Sequence, residues 1–389
     1  MTMPAVTRWN RCLAIIMFFL VSAAFAQTTP PIRIGATVSL SGKYSEPSAM
    51  IREGYRLWEQ QVNQRGGMLG RPVELLLYDD RSDPETTHDL YQKLVFGDRV
   101  DLLLSPYGTP LTLQASQVSE SQRMVMLACA ASGKDIWTRG YEYVFGMYAL
   151  ADRYFIGMLD LMARQGIDSV AVLHEDSPFT IDVADGVERW SKRFGISLSL
   201  KQSFEPGQEQ LEQLLRNAAQ RNVRALILAV YPPAGYRSLG LMQRIDWRPD
   251  ALGMTIAPIH PDFYRNAGPI AESIFGPSQW EPDERIPFPG TTKFVRDFKA
   301  TFNRLPSYHA GSAYASCQIL ESAVTELNDI DHRRIRGYIS SLDTVTVIGR
   351  FKVDHLGRQV GHNPILVQWQ DGKKEIVYPT KMKTAEPRF

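Results

Sequence analysis

The residues best placed to do chemistry in this chain are small and hydroxylated. Ser39-Leu40-Ser41-Gly42-Lys43-Tyr44 closes an apolar run and precedes a helical pattern. A small polar turn of this kind sits where open α/β sheets hold ligands. Hydroxyls and backbone N–H groups at a helix N-terminus bind an anion without a full positive charge. Signals for covalent or metal chemistry are weak. Gly42-Lys43 has no glycine five residues before Gly42, so it is not a phosphate loop. Asp79-Asp80-Arg81-Ser82-Asp83-Pro84 carries paired carboxylates, but no nucleophile or metal motif accompanies them, and Asp83 is placed to cap the next helix. His174 and His260 stand alone, and there is no G-x-S-x-G, H-E-x-x-H or cysteine pair. The pattern points to binding without turnover, with no cofactor and no metal.

Such turns need a scaffold of alternating strands and helices, and the chain has one. Strands are expected over residues 32–40, 73–79, 100–105 and 124–127, with helices over 48–65, 84–96 and 110–121. Ile51, Tyr55, Leu57, Trp58 and Val62 follow a helical spacing that packs one face on a sheet. Gly66-Gly67 ends that helix, since glycine accepts the left-handed cap conformation. A second series begins after Met147, with strands over 169–174, 196–203, 225–230 and 251–256 and a segment at 274–279. Helices over 150–165, 181–194, 208–221 and 235–245 alternate with them. Residues 280–290 read as a Pro-rich loop, 291–302 and 308–327 as helices, and 348–353, 364–370 and 374–378 as closing strands. Repeated strand–turn–helix units predict an α/β fold with parallel-sheet cores in two similar lobes.

The bulk properties agree with an exported globular protein. With 389 residues, 44% hydrophobic and 22% charged, the chain can build more than one core. A formal charge of +1, with Arg8 and Arg11 in the leader, argues against nucleic acid as a partner. Residues 1–26 read as a signal peptide: a basic start, the apolar run LAIIMFFLVSAAFA, and a small-x-small site ending at Ala26. Two cysteines remain after cleavage, Cys129 and Cys317; export permits a disulfide between them but nothing in the sequence requires it.

Residues 32–84, with strand, Ser/Gly turn, helix, Gly-Gly-x-Leu-Gly-Arg-Pro and a second strand ending in paired Asp, resemble the start of the periplasmic leucine/isoleucine/valine-binding-protein family. These are the type I substrate-binding proteins of ABC importers, and the resemblance runs over roughly residues 32–378. It implies two Rossmann-like lobes joined by a three-crossover hinge. Lobe 1 would comprise residues 27–147 and 278–345, and lobe 2 residues 148–277 and 346–389. The implied function is cleft closure on a small carboxylate-bearing ligand, an amino acid or an aromatic or aliphatic acid. A periplasmic monomer would then deliver the ligand to a membrane permease, without enzymatic activity. The alternative is a ligand-sensing module of a signalling system. From lobe 1 the resemblance implicates Ser41 and Tyr44 of the first turn, Tyr107 and Thr109 of the second, and Ala130 and Ser132 of the third. Thr109, Ala130 and Ser132 would hold the carboxylate, although Thr109 and Ser132 could equally cap helices. From lobe 2 it implicates Phe179 and Tyr231, which could instead be ordinary packing. Amino-acid binders of the family place an acid in lobe 2 for the ligand's ammonium. Here the turn after residues 251–256 reads Ala257-Pro258-Ile259-His260-Pro261-Asp262, so Asp176, Asp262 or Glu281 would have to substitute. An amine-free carboxylate or an amide fits as well.

Overall fold

The computed structural model describes residues 30–205, 208–221, 223–286 and 288–389; the expected signal peptide lies outside them. The first half folds as β1 (Ile32–Val38), α1 (Ser45–Gln64), β2 (Val73–Asp79), α2 (Pro84–Gln92), β3 (Leu102–Leu104), α3 (Thr109–Ser121), β4 (Met126–Ala128) and β5 (Val144–Gly146). These strands form a parallel sheet in the order β2-β1-β3-β4-β5. α4 (Ile156–Arg164), β6 (Ser169–Glu175), α5 (Pro178–Arg193), β7 (Ser197–Phe204), α6 (Gln208–Gln220), β8 (Ala225–Ala229), α7 (Pro232–Arg244), β9 (Ala251–Met254), α8 (Phe263–Ala267) and β10 (Ile274–Ser278) follow. The chain then returns to the first sheet's helices with α9 (Thr291–Phe302), α10 (Tyr308–Leu327) and α11 (His332–Ser341). A two-stranded ribbon, β11 (Asp343–Thr346) with β12 (Gly349–Lys352), precedes β13 (Ile365–Gln370) and β14 (Lys373–Tyr378). The second sheet runs β14-β13-β10-β9-β8-β6-β7, parallel except at β13 and β14.

The chain therefore passes between the two lobes three times: after β5, after β10 and between β12 and β13. Strand periodicity sorts the core. Ile32, Ile34 and Ala36 of β1 face a large apolar cluster with α1 and α10, while Leu103 and Met126 face the opposite cluster under α2 and α3. The large cluster continues through Tyr44, Tyr107, Phe179 and Tyr231 into Val170, Val172 and Ile227 of the second sheet. A third cluster lies under α6 and α7.

Several elements differ from the sequence expectation for simple reasons. β3 is only three residues long, and helix α4 starts at Ile156 after a short 3-10 turn at Ala151–Arg153. α11 has just Ile335 and Ile339 buried, too little apolar periodicity to announce a helix. Asp83 does cap α2, its side chain accepting from the Thr86 N–H at 2.7 Å.

Cys129 and Cys317 are free thiols, both fully buried. Burial pushes the Cys129 thiol up to about 11, in spite of hydrogen bonds with Ser105 and Tyr55. Neither should react with an aromatic disulfide reagent in the native protein, and both should react on unfolding. Labelling of either thiol at native conditions would contradict this packing.

Candidate ligand cleft

The order β2-β1-β3-β4-β5 reverses direction between β1 and β3, and the second sheet does so between β6 and β8. Loops leaving neighbouring strands at such a switch point diverge and leave a crevice at the strands' carboxyl ends. Here the two crevices face one another. From the first sheet come the turns after β1, β3 and β4; from the second come the turns after β6, β8 and β9.

Six of the eight sequence-predicted residues line one small cavity there: Tyr107, Thr109, Ala130, Ser132, Phe179 and Tyr231. Tyr44 stands beside them, its ring centroid 5.5 Å from Tyr107 and 4.8 Å from Tyr231 across the cleft. Ser41 does not join them; it is exposed, and its carbonyl accepts from Ser82 Oγ at 2.6 Å. Sequence reasoning missed Tyr148, Tyr154, Ile256, Tyr308 and His309, which complete the wall with Gly108. Tyr148 and Tyr154 lie on the first connection between the lobes, and Tyr308 and His309 open α10. No local pattern marks them, because each reaches the cleft from an element distant in sequence.

The turn after β3 shows how the backbone builds the site. Gly108 has φ 80° and ψ 156°, a region open to glycine alone, and its N–H bonds the Ala130 carbonyl at 3.1 Å. This joins the second and third turns and starts α3 at Thr109. Thr109 Oγ1 accepts from the Gly133 N–H at 3.1 Å, and Ser132 Oγ accepts from the Tyr154 hydroxyl at 3.0 Å. Each hydroxyl keeps its own proton to donate. The buried hydroxyls of Tyr148 and Tyr231 have no hydrogen-bond partner among the described residues. Thr109, Ser132, Tyr148 and Tyr231 are thus four hydroxyl-bearing residues in a wall made mostly of aromatic rings.

Among these wall residues no side chain is a carboxylate, a lysine or an arginine. Burial pushes the His309 imidazole down to about 3, so it is neutral at physiological pH. Of the substitutes expected for an ammonium partner, Asp176 is exposed and Glu281 is paired with Lys374 at 2.6 Å. Asp262 pairs with Arg265 at 3.1 Å. The buried Glu175 at the end of β6 accepts from the Tyr231 N–H at 2.8 Å and is not among the lining residues. After β9 the wall residue is Ile256, with φ 62° and ψ −65°, and the Ala257 N–H bonds the Thr255 carbonyl at 2.7 Å. That is a tight turn strained for a β-branched residue. It aims an apolar side chain where the family resemblance leads one to seek an acid.

The cleft is shut from both sides. Lys134 Nζ meets Asp182 at 2.7 Å, the Tyr236 hydroxyl donates to Glu46 at 3.2 Å, and Lys43 lies 5.4 Å from the Tyr231 ring centre. The cavity left between them is about 10 Å³, room for roughly one water.

Burial of His309 has a measurable consequence. Its folded-state pKa lies below the ordinary 6.5, so the folded protein binds fewer protons than the unfolded chain as pH falls from 6.5 to about 3. Stability from this group is present above that window and lost as pH drops through it. Urea unfolding should show wild-type protein losing about 2 kcal/mol more than His309→Gln between about pH 7 and about pH 4.5. Parallel pH profiles would assign the acid sensitivity elsewhere.

A family model described as Periplasmic binding protein matches residues 31–374. The chain is 22% identical over 387 residues to Leu/Ile/Val-binding protein homolog 7 of Brucella suis biovar 1, spanning 94% of this chain and 96% of that one. Its fold is similar to that of the branched-chain amino acid transporter substrate binding protein LivJ from Streptococcus pneumoniae in complex with isoleucine. That match has a TM-score of 0.79 and 16% identity, over 90% of this chain and 100% of that one. An ABC-transporter solute binding protein from R. palustris in complex with benzoate superposes with a TM-score of 0.79 and 17% identity, over 92% of this chain and 98% of that one. With two lobes built on largely parallel sheets, three connections and a family match along most of its length, the chain belongs to the periplasmic binding protein family, with the type I fold.

Proposed function

We propose that this protein is the exported solute-binding component of an ABC importer, and that its ligand is a carboxylate with an aromatic or apolar body and no ammonium group. The observation that carries the ligand class is the composition of the cleft wall, with Ile256 after β9 and no carboxylate among the lining residues. An ammonium ion brought into such a wall would lose its hydration without gaining a counter-charge. A carboxylate, by contrast, meets the α3 N-terminus and the hydroxyls of Thr109, Ser132, Tyr148 and Tyr231. The rings of Tyr107, Phe179 and Tyr231 offer apolar faces to its body.

In this reading the lobe of the first sheet, up to residue 147 and again from 278 to 352, first holds the carboxylate, and the lobe of the second sheet closes over it; the boundary expected after residue 345 would cut the β11–β12 ribbon. Closure follows because the ligand touches both lobes only when they are shut. The mature monomer, cut after Ala26, presents the closed form to a membrane permease and carries out no chemistry on its cargo. Thermal-shift and calorimetric titration of ligand-stripped mature protein with benzoate, 3,4-dihydroxybenzoate and leucine tests the proposal. Binding of either aromatic acid with none of leucine is expected. Tight binding of leucine and neglect of both aromatic acids would overturn the ligand class.

A further inference from the structure

A second, larger cavity lies behind the connections between the lobes. Its volume is about 530 Å³, within the range of small-molecule sites. All three connections wall it: Arg153 from the first, Gln279 and Trp280 from the second, His362 and Asn363 from the third. They are tied together at its floor. Gln279 Oε1 accepts from the Ala149 N–H at 3.0 Å and lies 3.2 Å from His362 Nε2, and Arg153 Nη1 donates to Asn363 Oδ1 at 3.3 Å. Phe288 and Ile348 close it from one lobe, Trp190, Tyr378 and Met382 from the other. Arg153 and Tyr154 are neighbours in sequence, yet Arg153 lines this cavity and Tyr154 the cleft.

The chemistry of the walls differs from that of the cleft. Arg153 brings a guanidinium to the exposed rim, and among the described residues it has no carboxylate partner within ion-pair distance. A planar guanidinium recognises a carboxylate or sulfonate through paired hydrogen bonds. Indole, phenyl and phenol rings supply the apolar remainder. Gln279 and Trp280, 4% and 2% exposed, also carry side-chain N–H groups with no acceptor among the described residues. A small shift of either would turn a donor toward an occupant.

We propose that this cavity is a second ligand site, separate from the cleft, for a small amphipathic anion: an aromatic or aliphatic body with one carboxylate or sulfonate held by Arg153. The inference uses the cleft only as a comparison and does not require the cargo to be known. An occupant would touch all three segments that any movement of the lobes must bend.

The test uses the mature protein and the fluorescent anion 1-anilinonaphthalene-8-sulfonate. Saturable binding at one site is expected. Arg153→Glu should weaken it at least about tenfold, equivalent to about 1.4 kcal/mol. Met382→Trp, at the half-buried edge of the cavity, should block it by filling the space. Tyr231→Ala, which opens the cleft wall, should leave it unchanged. Equal binding by wild type, Arg153→Glu and Met382→Trp would overturn the proposal. So would binding that survives both of those changes and is lost in Tyr231→Ala, since the dye would then occupy the cleft. Absence of saturable binding to wild type would overturn it too. Because the dye titration is independent of the benzoate and leucine titrations, failure of one reading leaves the other standing.

Discussion

Ile256→Glu is expected to weaken binding of an aromatic carboxylate at least about 100-fold, a change of about 2.7 kcal/mol. Ile256 sits in the cleft wall at 6% exposure, where a glutamate would face the ligand's own negative charge with little water between them. Two unit charges about 4 Å apart repel by roughly 4 kcal/mol at the effective dielectric of a partly buried site. Part of this is relieved by protonation of the new carboxyl, so the larger figure is not reached. The same carboxylate would give an α-amino acid the counter-charge that the native wall lacks, so leucine binding should appear as benzoate binding falls. Ile256→Gln separates charge from shape: it keeps the size and the strained backbone, and should weaken the aromatic acid only several-fold. Calorimetric titration of the three proteins with benzoate and leucine measures both effects. If Ile256→Glu binds benzoate within threefold of wild type, Ile256 does not face the ligand and the proposed ligand class loses its main support.

Gly54→Leu should cost the fold about 3 kcal/mol, near the upper end for overpacking. Gly54 lies on the buried face of α1 against α10. A Cβ at this position would collide with the carbonyl oxygen of Ala310 and lie 3.0 Å from Ala313 Cβ. The obstacle is helix backbone, which cannot rotate aside as a side chain can. α10 presents Ala310, Gly311, Ala313 and Ala315 in its buried run, so the two helices approach where both are small. Separating them would also move Tyr308 and His309 at the start of α10, and with them the cleft. Gly54→Ala is a milder probe, because it adds only the Cβ, and about 1 kcal/mol of helix propensity offsets part of that clash. Denaturant unfolding gives the stability change. A loss under about 1 kcal/mol for Gly54→Leu would mean that α1 and α10 slide apart without penalty.

The strand–turn–helix units were legible because each leaves a local mark. β1 ends in Ser39-Leu40-Ser41-Gly42, α1 carries its apolar stripe, and Asp83-Pro84 announces α2. Elements without such marks were missed. β5 and β11 are three and four residues long, and α11 is a charged helix with two buried isoleucines. The family resemblance implicated the turn residues Tyr107, Thr109, Ala130 and Ser132, and all four lie together at the carboxyl edge of the first sheet, where a parallel strand followed by a helix puts its connecting turn.

By itself, then, the sequence determined the alternating strand–turn–helix units and the small, hydroxylated character of the turns, because strand pattern, helix stripe and turn chemistry are local properties. Only the tertiary structure decided what those turns face. Tyr148 and Tyr154 arrive from the first connection, Tyr308 and His309 from the start of α10, and Ile256 from a strained turn after β9. Their positions follow from the packing of two sheets and three crossings of the chain, and such long-range contacts depend on how every intervening element packs. The same packing opens the cavity behind the connections, walled by residues from 153 to 382 that no stretch of sequence brings together.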